Sequence, residues 1–277
     1  MRQRDFLQDS GRNLEDRDIQ RQKEFWLQNK DLVEGISRFD ANLLRRLFSK
    51  VADGKRLQMI VDSLSEIDLD NLSATIRQTS HKKALRDLER LLELEHSGDV
   101  VAAVASDPAL KQFNAGKPED VFRKWLEANL WVFGVEYYRK HDWRIVAEDA
   151  IADLVMETAD GFIDLIELKR PKLPYPLLNK HTSHNGYYPS AQLSQAIGQS
   201  LLYLRRLGDK KAAIEHKHDT RVLCPRVKLV VGRSLDFNAD QYETMRILNA
   251  NLGSISVLTY DDILRNAKQI IEFYEGP

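Results

Sequence analysis

Two short segments decide the fold of this chain: Ile151-Ala152-Asp153-Leu154-Val155-Met156-Glu157 and Ile163-Asp164-Leu165-Ile166-Glu167-Leu168-Lys169-Arg170-Pro171. Their composition predicts two strands joined by a tight turn. Side chains alternate faces along a strand, so Glu167 and Lys169 share a face while Leu168 points the other way. If Asp153 on the first strand joins them, the three side chains have the chemistry to hold a hard divalent cation and to stabilise a phosphodiester transition state.

The turn between the segments determines which residue lies opposite Asp153. A two-residue Asp160-Gly161 loop would place Asp153 opposite Leu168, which is the wrong neighbour. A three-residue loop that also includes Ala159, with the glycine left-handed and forming a bulge, places Asp153 opposite Glu167. We predict the three-residue loop, because only this register gathers the polar groups.

The alternative is a solvated hairpin whose Asp, Glu and Lys form only surface ion pairs. The residues around the polar group count against it, since they are apolar on both faces: Ile151, Val155, Ile163, Leu165, Ile166 and Leu168. Such a pattern predicts a strand pair that is buried on both sides. Charges embedded there are costly unless a metal ion or one another compensates them.

Composition places the chain among ordinary soluble globular proteins. It has 277 residues, 43% hydrophobic and 30% charged, and a formal charge of −1 from 41 basic and 42 acidic side chains. A nucleic-acid partner must therefore bind a local basic patch. The single Cys224 excludes an internal disulfide, fits a reducing compartment, and is predicted to be buried. No apolar run reaches the ~20 residues of a membrane span, and no signal-peptide core is visible, so we predict a cytoplasmic protein.

The organisation of the chain changes near residue 100. Residues 1–110 are predicted to form an all-helical N-terminal domain, whose third helix is capped by Ser73 and carries a leucine stripe from Leu85 to Leu94 before Gly98. A regulatory, oligomerisation or DNA-sensing role and a plain scaffold role both remain open. Residues 111–277 are predicted to be an α/β domain. Its elements are a helix from Pro118, strands near 131–138 and 143–146, the polar hairpin, a helix from Ala191, a strand at Val227 to Gly232, a helix near 240–250, a strand at Ile255 to Leu258 and a helix from Asp261.

This order resembles the PD-(D/E)xK nuclease superfamily, whose restriction-endonuclease-like core has a helix, a β-meander, a helix and a strand. Asp153 matches the first acid of that motif, Glu167 the second and Lys169 the lysine. Gln199 and Tyr203 match the Gln-x-x-x-Tyr element of many members. The residue before Asp153 is Ala152, where the superfamily often has Pro, a difference in local backbone shape rather than in ligands.

More narrowly, the chain resembles the nuclease domain of Shedu anti-phage defence proteins. The matching segments are Glu119, Trp125-Leu126-Glu127-Ala128-Asn129, Glu167-Leu168-Lys169-Arg170-Pro171, Val230-Val231-Gly232-Arg233-Ser234 and Leu258-Thr259-Tyr260-Asp261-Asp262. The resemblance implies a homo-oligomer, dimer or tetramer, that cleaves double-stranded phage DNA without a nucleotide cofactor, and no Walker loop is visible. The alternative is a non-catalytic member that binds nucleic acid or assembles a complex.

The resemblance also implies roles for individual residues. Asp153, Glu167 and the backbone carbonyl of Leu168 would bind Mg²⁺ or Mn²⁺, and Lys169 would position the attacking water. Glu119 would reach a second metal ion or orient the water, or would only stabilise its helix start. Gln199 and Tyr203, one helical turn apart, would contact phosphate or support Lys169.

Basic residues near the hairpin and on the following helix are the predicted DNA contacts. They are Arg170, Lys172, Lys180, His184, Arg205, Arg206, Lys210 and Lys211. A solvated helix end is the alternative for the last four. His181, His184, His216 and His218 raise the possibility of zinc, but they lack the spacing of a zinc site.

Overall fold

The computed structural model describes residues 69–147, 150–183 and 186–275. The chain divides into two units, Met1–Thr79 and Ser80–Pro277, and the architecture below is that of the second. The described helices are α1 Leu69–Ser97, α2 Val100–Ser106, α3 Pro118–Ala128, α4 Ala191–Asp209, α5 Lys211–His218, α6 Ala239–Asn251 and α7 Tyr260–Glu275, with 3-10 turns at Lys111–Phe113 and Leu130–Phe133. The described strands are β1 Tyr137–Lys140, β2 Ile145–Ala147, β3 Ala150–Ile151, β4 Leu154–Thr158, β5 Ile163–Leu168, β6 Leu178–Lys180, β7 Tyr187–Pro189, β8 Val227–Val230 and β9 Ile255–Leu258.

A five-stranded mixed sheet forms the centre of this unit. Its strand order is β1-β4-β5-β8-β9, with antiparallel pairing from β1 to β5 and parallel pairing from β5 to β9. Two smaller sheets, β2-β3 and β6-β7, accompany it. The predicted α/β class is confirmed at this level.

Helices cover both faces of the central sheet, as an apolar strand pair requires. On β5, Ile163 and Leu165 belong to the core beneath α4, whereas Ile166 and Leu168 belong to the core formed with α1, α3 and α7. Every residue of β4 and β5 is buried. The odd-numbered face of β5, which carries Glu167, is therefore the face that α4 covers.

The hairpin that joins β4 to β5 has the predicted three-residue loop. Thr158 N donates to Phe162 O at 2.8 Å, and Gly161 is left-handed with φ of 82°. The strand pairing ends at Leu154 opposite Ile166, and one more step of the same register places Asp153 opposite Glu167. The predicted register is confirmed.

The first predicted strand is interrupted, which the sequence pattern did not reveal. Ile151 ends β3, which pairs with β2, and β4 begins only at Leu154. Ala152 is held by Arg144, because Ala152 N donates to Arg144 O at 3.0 Å and Arg144 Nε donates to Ala152 O at 2.8 Å. Its backbone is therefore unavailable to the β4-β5 ladder, and Asp153 lies at a bend.

Three further expectations about local structure were wrong. Helix α1 includes Leu69–Ser97, so Ser73 lies within it rather than at its cap. The segment after Leu130 opens with a 3-10 turn rather than a strand. Cys224 is exposed, in a loop where its own φ is 44°, rather than buried.

The leucine stripe of α1 does pack inward. Leu88, Leu91 and Leu92 are buried in the same core as Trp125 of α3. The division of the chain at residue 110 and the role of the region before it remain predictions. No helix in the described ranges is long and apolar enough to cross a membrane.

Candidate functional site

The hairpin register brings two acidic residues to one point. Hydrogen-bonded and non-bonded pairs alternate along an antiparallel ladder, and counting from the bonded pair Thr158 and Phe162 makes Asp153 and Glu167 a non-bonded pair. Side chains of such pairs lie closest together. Both carboxyl groups lie near Lys169, whose charge acts on each of them.

Asp153 takes a position that backbone atoms would otherwise occupy. Leu168 N donates to Asp153 Oδ2 at 2.8 Å, in place of the carbonyl of Ala152 that Arg144 has engaged. The N–H and C=O of one strand residue point to the same side of the strand. The carbonyl of Leu168 therefore faces Asp153, as its predicted role as a ligand requires.

Glu167 is the most deeply buried carboxylate of this group, with 2% of its surface exposed. Its Oε1 lies 2.7 Å from Lys169 Nζ, and its Oε2 is buried without a hydrogen-bond partner in the described structure. Burial and then the charge of Asp153 raise the pKa of Glu167 to about 7, against the opposing effect of Lys169. An orphaned buried carboxylate oxygen is costly, and a hard cation is the kind of partner that would satisfy it.

The neighbouring ionisable groups share this electrostatic environment. Burial raises the pKa of Asp153, although the N–H of Leu168 and the charge of Lys169 oppose it. Burial lowers the pKa of Lys169, but Glu167 and the other carboxylates outweigh it, so the net pKa is raised and the amine stays charged. Burial also raises the pKa of Glu119, with Lys169 opposing and Asp153 adding to the rise.

Glu119 lies at the start of α3, directly after Pro118. The charges of Lys169 and Asp153 both act on its pKa. In the described part of the chain, no three His, Cys, Asp or Glu side chains lie together in a group able to hold a metal ion. The ligand roles of Asp153, Glu167, the carbonyl of Leu168 and Glu119 stay predictions.

Gln199 and Tyr203 form a pair with each other rather than with Lys169. Gln199 Nε2 donates to Tyr203 Oη at 2.5 Å, and Tyr203 Oη donates to Ile151 O at 3.0 Å. Tyr203 is buried, and burial followed by the charge of Glu167 raises its pKa. The pair ties α4 to the end of β3, two residues before Asp153.

Several of the basic residues predicted to contact DNA already have protein partners. Lys172 Nζ donates to His96 O at 2.9 Å, and Arg170 binds Glu95. Arg205 and Lys211 form only long, exposed ion pairs with Asp209 and Glu215, at 3.7 and 3.9 Å. Lys180 and Lys210 are exposed and Arg206 is half-buried, while His184 lies outside the described residues.

Glu95 is a residue of this region that the sequence analysis did not single out. It is 1% exposed, and Arg170 Nε and Nη2 both donate to its Oε1, at 3.1 and 2.7 Å. Its spacing from Leu88, Leu91 and Leu92 places it on the inward stripe of α1, and a glutamate at such a position was the available signal. Tyr260, also buried, donates from Oη to Lys169 O at 2.9 Å. Helices α1 and α7 thus hold the end of β5.

Residues 116–264 match the family model described as Shedu protein SduA, C-terminal, which covers more than half of the chain. The chain belongs to this family. Membership associates it with anti-phage defence, and the predicted resemblance is confirmed. No curated protein matches the chain. Glu119, Asp153, Glu167, Lys169 and Tyr203 lie inside the Shedu match, whereas Glu95 lies before it.

Replacing Glu167 with Gln should stabilise this Shedu protein at high pH. The pKa of Glu167 is 4.5 in the unfolded chain and about 7 in the folded protein. Ionisation of this carboxyl therefore lowers the free energy of unfolding as pH rises from 4.5 to about 7, and above pH 7 the free energy of unfolding falls no further on this account. The Glu167→Gln variant should therefore melt on the order of 5 °C higher at pH 8. The difference should vanish toward pH 4. Thermal unfolding across this pH range measures it, and a pH-independent difference would contradict the assignment.

Replacing Arg170 with Gln should destabilise the fold by about 3 kcal/mol, because the buried carboxylate of Glu95 would lose its charged partner. Lys268→Gln is the matched control. Glu89 pairs with Lys268 at 2.9 Å in an exposed position, where such pairs contribute about 0–1 kcal/mol. Urea unfolding compares the two variants, and equal losses would show that burial of the Glu95 pair has no special weight.

Proposed function

We propose that this Shedu-family protein is a Mg²⁺- or Mn²⁺-dependent DNA endonuclease with a PD-(D/E)xK core. The observation that carries the proposal is the buried Glu167 carboxylate, whose Oε2 has no hydrogen-bond partner in the described chain and which lies opposite Asp153 in the hairpin register. The order of helix α3, antiparallel β1, β4 and β5, helix α4 and parallel β8 supports the core.

The donor set suits a hard cation. Asp153, Glu167 and the carbonyl of Leu168 would hold Mg²⁺ or Mn²⁺, which would supply Lewis-acid activation of a water and neutralise the leaving oxygen. Glu167 would bind a cation in its ionised form. Burial raises its pKa, so part of the Glu167 population is protonated at neutral pH when no cation is bound. Oxygen donors with a high proton affinity also bind cations well once deprotonated.

Lys169 brings a permanent positive charge to the same point. Its ammonium has one bond to Glu167 Oε1, at 2.7 Å, and three N–H groups in all, so it retains donors for a phosphate oxygen or an attacking water. Hydrolysis then joins a water oxygen to phosphorus and breaks the bond from phosphorus to a sugar oxygen. Lys169 would stabilise the negative charge that develops on the phosphoryl oxygens.

Gln199 and Tyr203 would act by positioning rather than by touching the substrate. Their hydrogen bonds run from α4 to the backbone of Ile151, which leads directly into Asp153. Glu119 would orient the water or approach a second cation from the start of α3. The roles proposed for Gln199 and Tyr203 rest on their hydrogen bonds, and the role proposed for Glu119 rests on the charges around it.

The proposal extends to the partners. Double-stranded phage DNA would be the substrate, and the exposed Lys180, Lys210, Arg205 and Lys211, together with Lys172 and Arg206, would contact its backbone. A homo-oligomer, as a dimer or tetramer, would bring two sites to one duplex. The protein would act in the cytoplasm and without a nucleotide cofactor.

Cleavage of linear and circular duplex DNA by the purified full-length chain tests the function. The wild type should cut with Mg²⁺ or Mn²⁺ and not with chelator. Lys169→Ala should cut at least about 100-fold more slowly, because it removes a charge that acts in the transition state.

Lys268→Ala is the matched control, since Lys268 also pairs with a glutamate but involves none of the site residues. It should cut at the wild-type rate. Cutting that persists in chelator, or in Lys169→Ala, would refute the mechanism. Binding of DNA without cutting under every condition would favour the non-catalytic alternative.

A further inference from the structure

Arg144 is tied to the strand end that carries Asp153. Its carbonyl accepts from Ala152 N at 3.0 Å, and its Nε donates to Ala152 O at 2.8 Å. Its Nη2 reaches Asp153 Oδ1 at 3.3 Å. The guanidinium is thus anchored at its base by a backbone carbonyl and directed at a carboxylate of the candidate site.

The contact with Asp153 is long for a charged pair, since such hydrogen bonds ordinarily measure about 2.7–2.9 Å. A guanidinium has five N–H donors, and Arg144 uses two of them, one to Ala152 and one to Asp153. Its other N–H groups have no partner in the part of the chain that the structure describes. About a third of the side chain is exposed, so these donors are within reach of a ligand.

The neighbouring arginine of the motif differs in this respect. Arg170 directs both Nε and Nη2 to the buried Glu95, which faces the core on the other side of the sheet. Arg144 instead directs its guanidinium at Asp153, a residue of the candidate site. A planar guanidinium with adjacent free donors matches the oxygens of a phosphodiester in pairs, which a lysine ammonium does not.

We propose that Arg144 binds a non-bridging oxygen of the phosphodiester substrate beside Asp153. This inference rests on the proposed function, because it takes the same site to receive DNA. The Nε bond to Ala152 keeps the guanidinium in place when Asp153 Oδ1 turns to another partner. Arg144 would then exchange a weak bond to a carboxylate for a bond to phosphate.

The test measures DNA affinity rather than cutting. Binding of a fluorescent duplex is followed by anisotropy with Mg²⁺ at several salt concentrations, using full-length protein in a Lys169→Ala background. Adding Arg144→Gln should weaken binding about tenfold, or 1.4 kcal/mol, and lower the slope of log K against log salt by ~1. Arg144→Lys should keep the slope and recover part of the affinity, because it retains the charge.

Arg265→Gln is the control, since Arg265 also pairs with an aspartate, Asp262, but away from the site. It should leave affinity and slope unchanged. If Arg144→Gln and Arg144→Lys lose the same amount of DNA affinity and the salt slope of both is unchanged, the proposal is overturned in favour of a purely structural arginine. Unchanged DNA affinity, together with tighter Mn²⁺ binding by calorimetry without DNA, would overturn it in favour of an arginine that only masks Asp153.

The two proposals fail in different ways. If the protein with Lys169 intact binds duplex DNA but never cuts it, the nuclease proposal fails. The effect of Arg144 on DNA affinity can still be measured in that case. If the protein cuts DNA but its DNA affinity does not depend on Arg144, only the inference about Arg144 fails. If Arg144→Gln does not fold, by circular dichroism, Arg144→Met takes its place, and an unchanged slope in that variant would contradict a charge contact.

Discussion

The register of the β4-β5 hairpin is the constraint on which the site depends. A three-residue loop with Gly161 at φ of 82° places Asp153 opposite Glu167 in a pair whose side chains lie close together. A register one residue different would turn Glu167 and Lys169 toward a different neighbour. The loop that contains the left-handed Gly161 thus determines which residue of β5 lies opposite Asp153.

The fold accepts buried charge at this point and compensates it only in part. Lys169 pairs with one oxygen of Glu167, Leu168 N binds Asp153, and the second oxygen of Glu167 remains without a partner in the described structure. Natural proteins keep such destabilised arrangements at sites that bind ligands. The surrounding contacts supply rigidity: α4 holds Ile151 through Tyr203, α7 holds Lys169 through Tyr260, and α1 holds Arg170 through Glu95.

Much of this arrangement could be predicted from local patterns. Alternating faces, the turn residues and the Glu-x-Lys spacing predicted the hairpin, its register and its doubly buried strands, because each depends on residues close in sequence. The partners of Glu95, Arg144 and Tyr260 could not be predicted, since each side chain binds a residue far along the chain or a backbone atom. The same limit explains the interrupted first strand, which depends on the bonds between Arg144 and Ala152. Arg170, predicted as a DNA contact, binds Glu95, which lies 75 residues away in sequence, and its contact with DNA stays a prediction.

The central claim is that Asp153 and Glu167 form one cation site. Crystals of the full chain soaked in Mn²⁺, with anomalous diffraction recorded at the manganese edge, test it most directly. The account predicts one strong peak within about 2.3 Å of an oxygen of Asp153, of Glu167 and of the Leu168 carbonyl. A fully soaked crystal with no peak there, and with Lys169 and Arg144 still bonded to the two carboxylates, would contradict it.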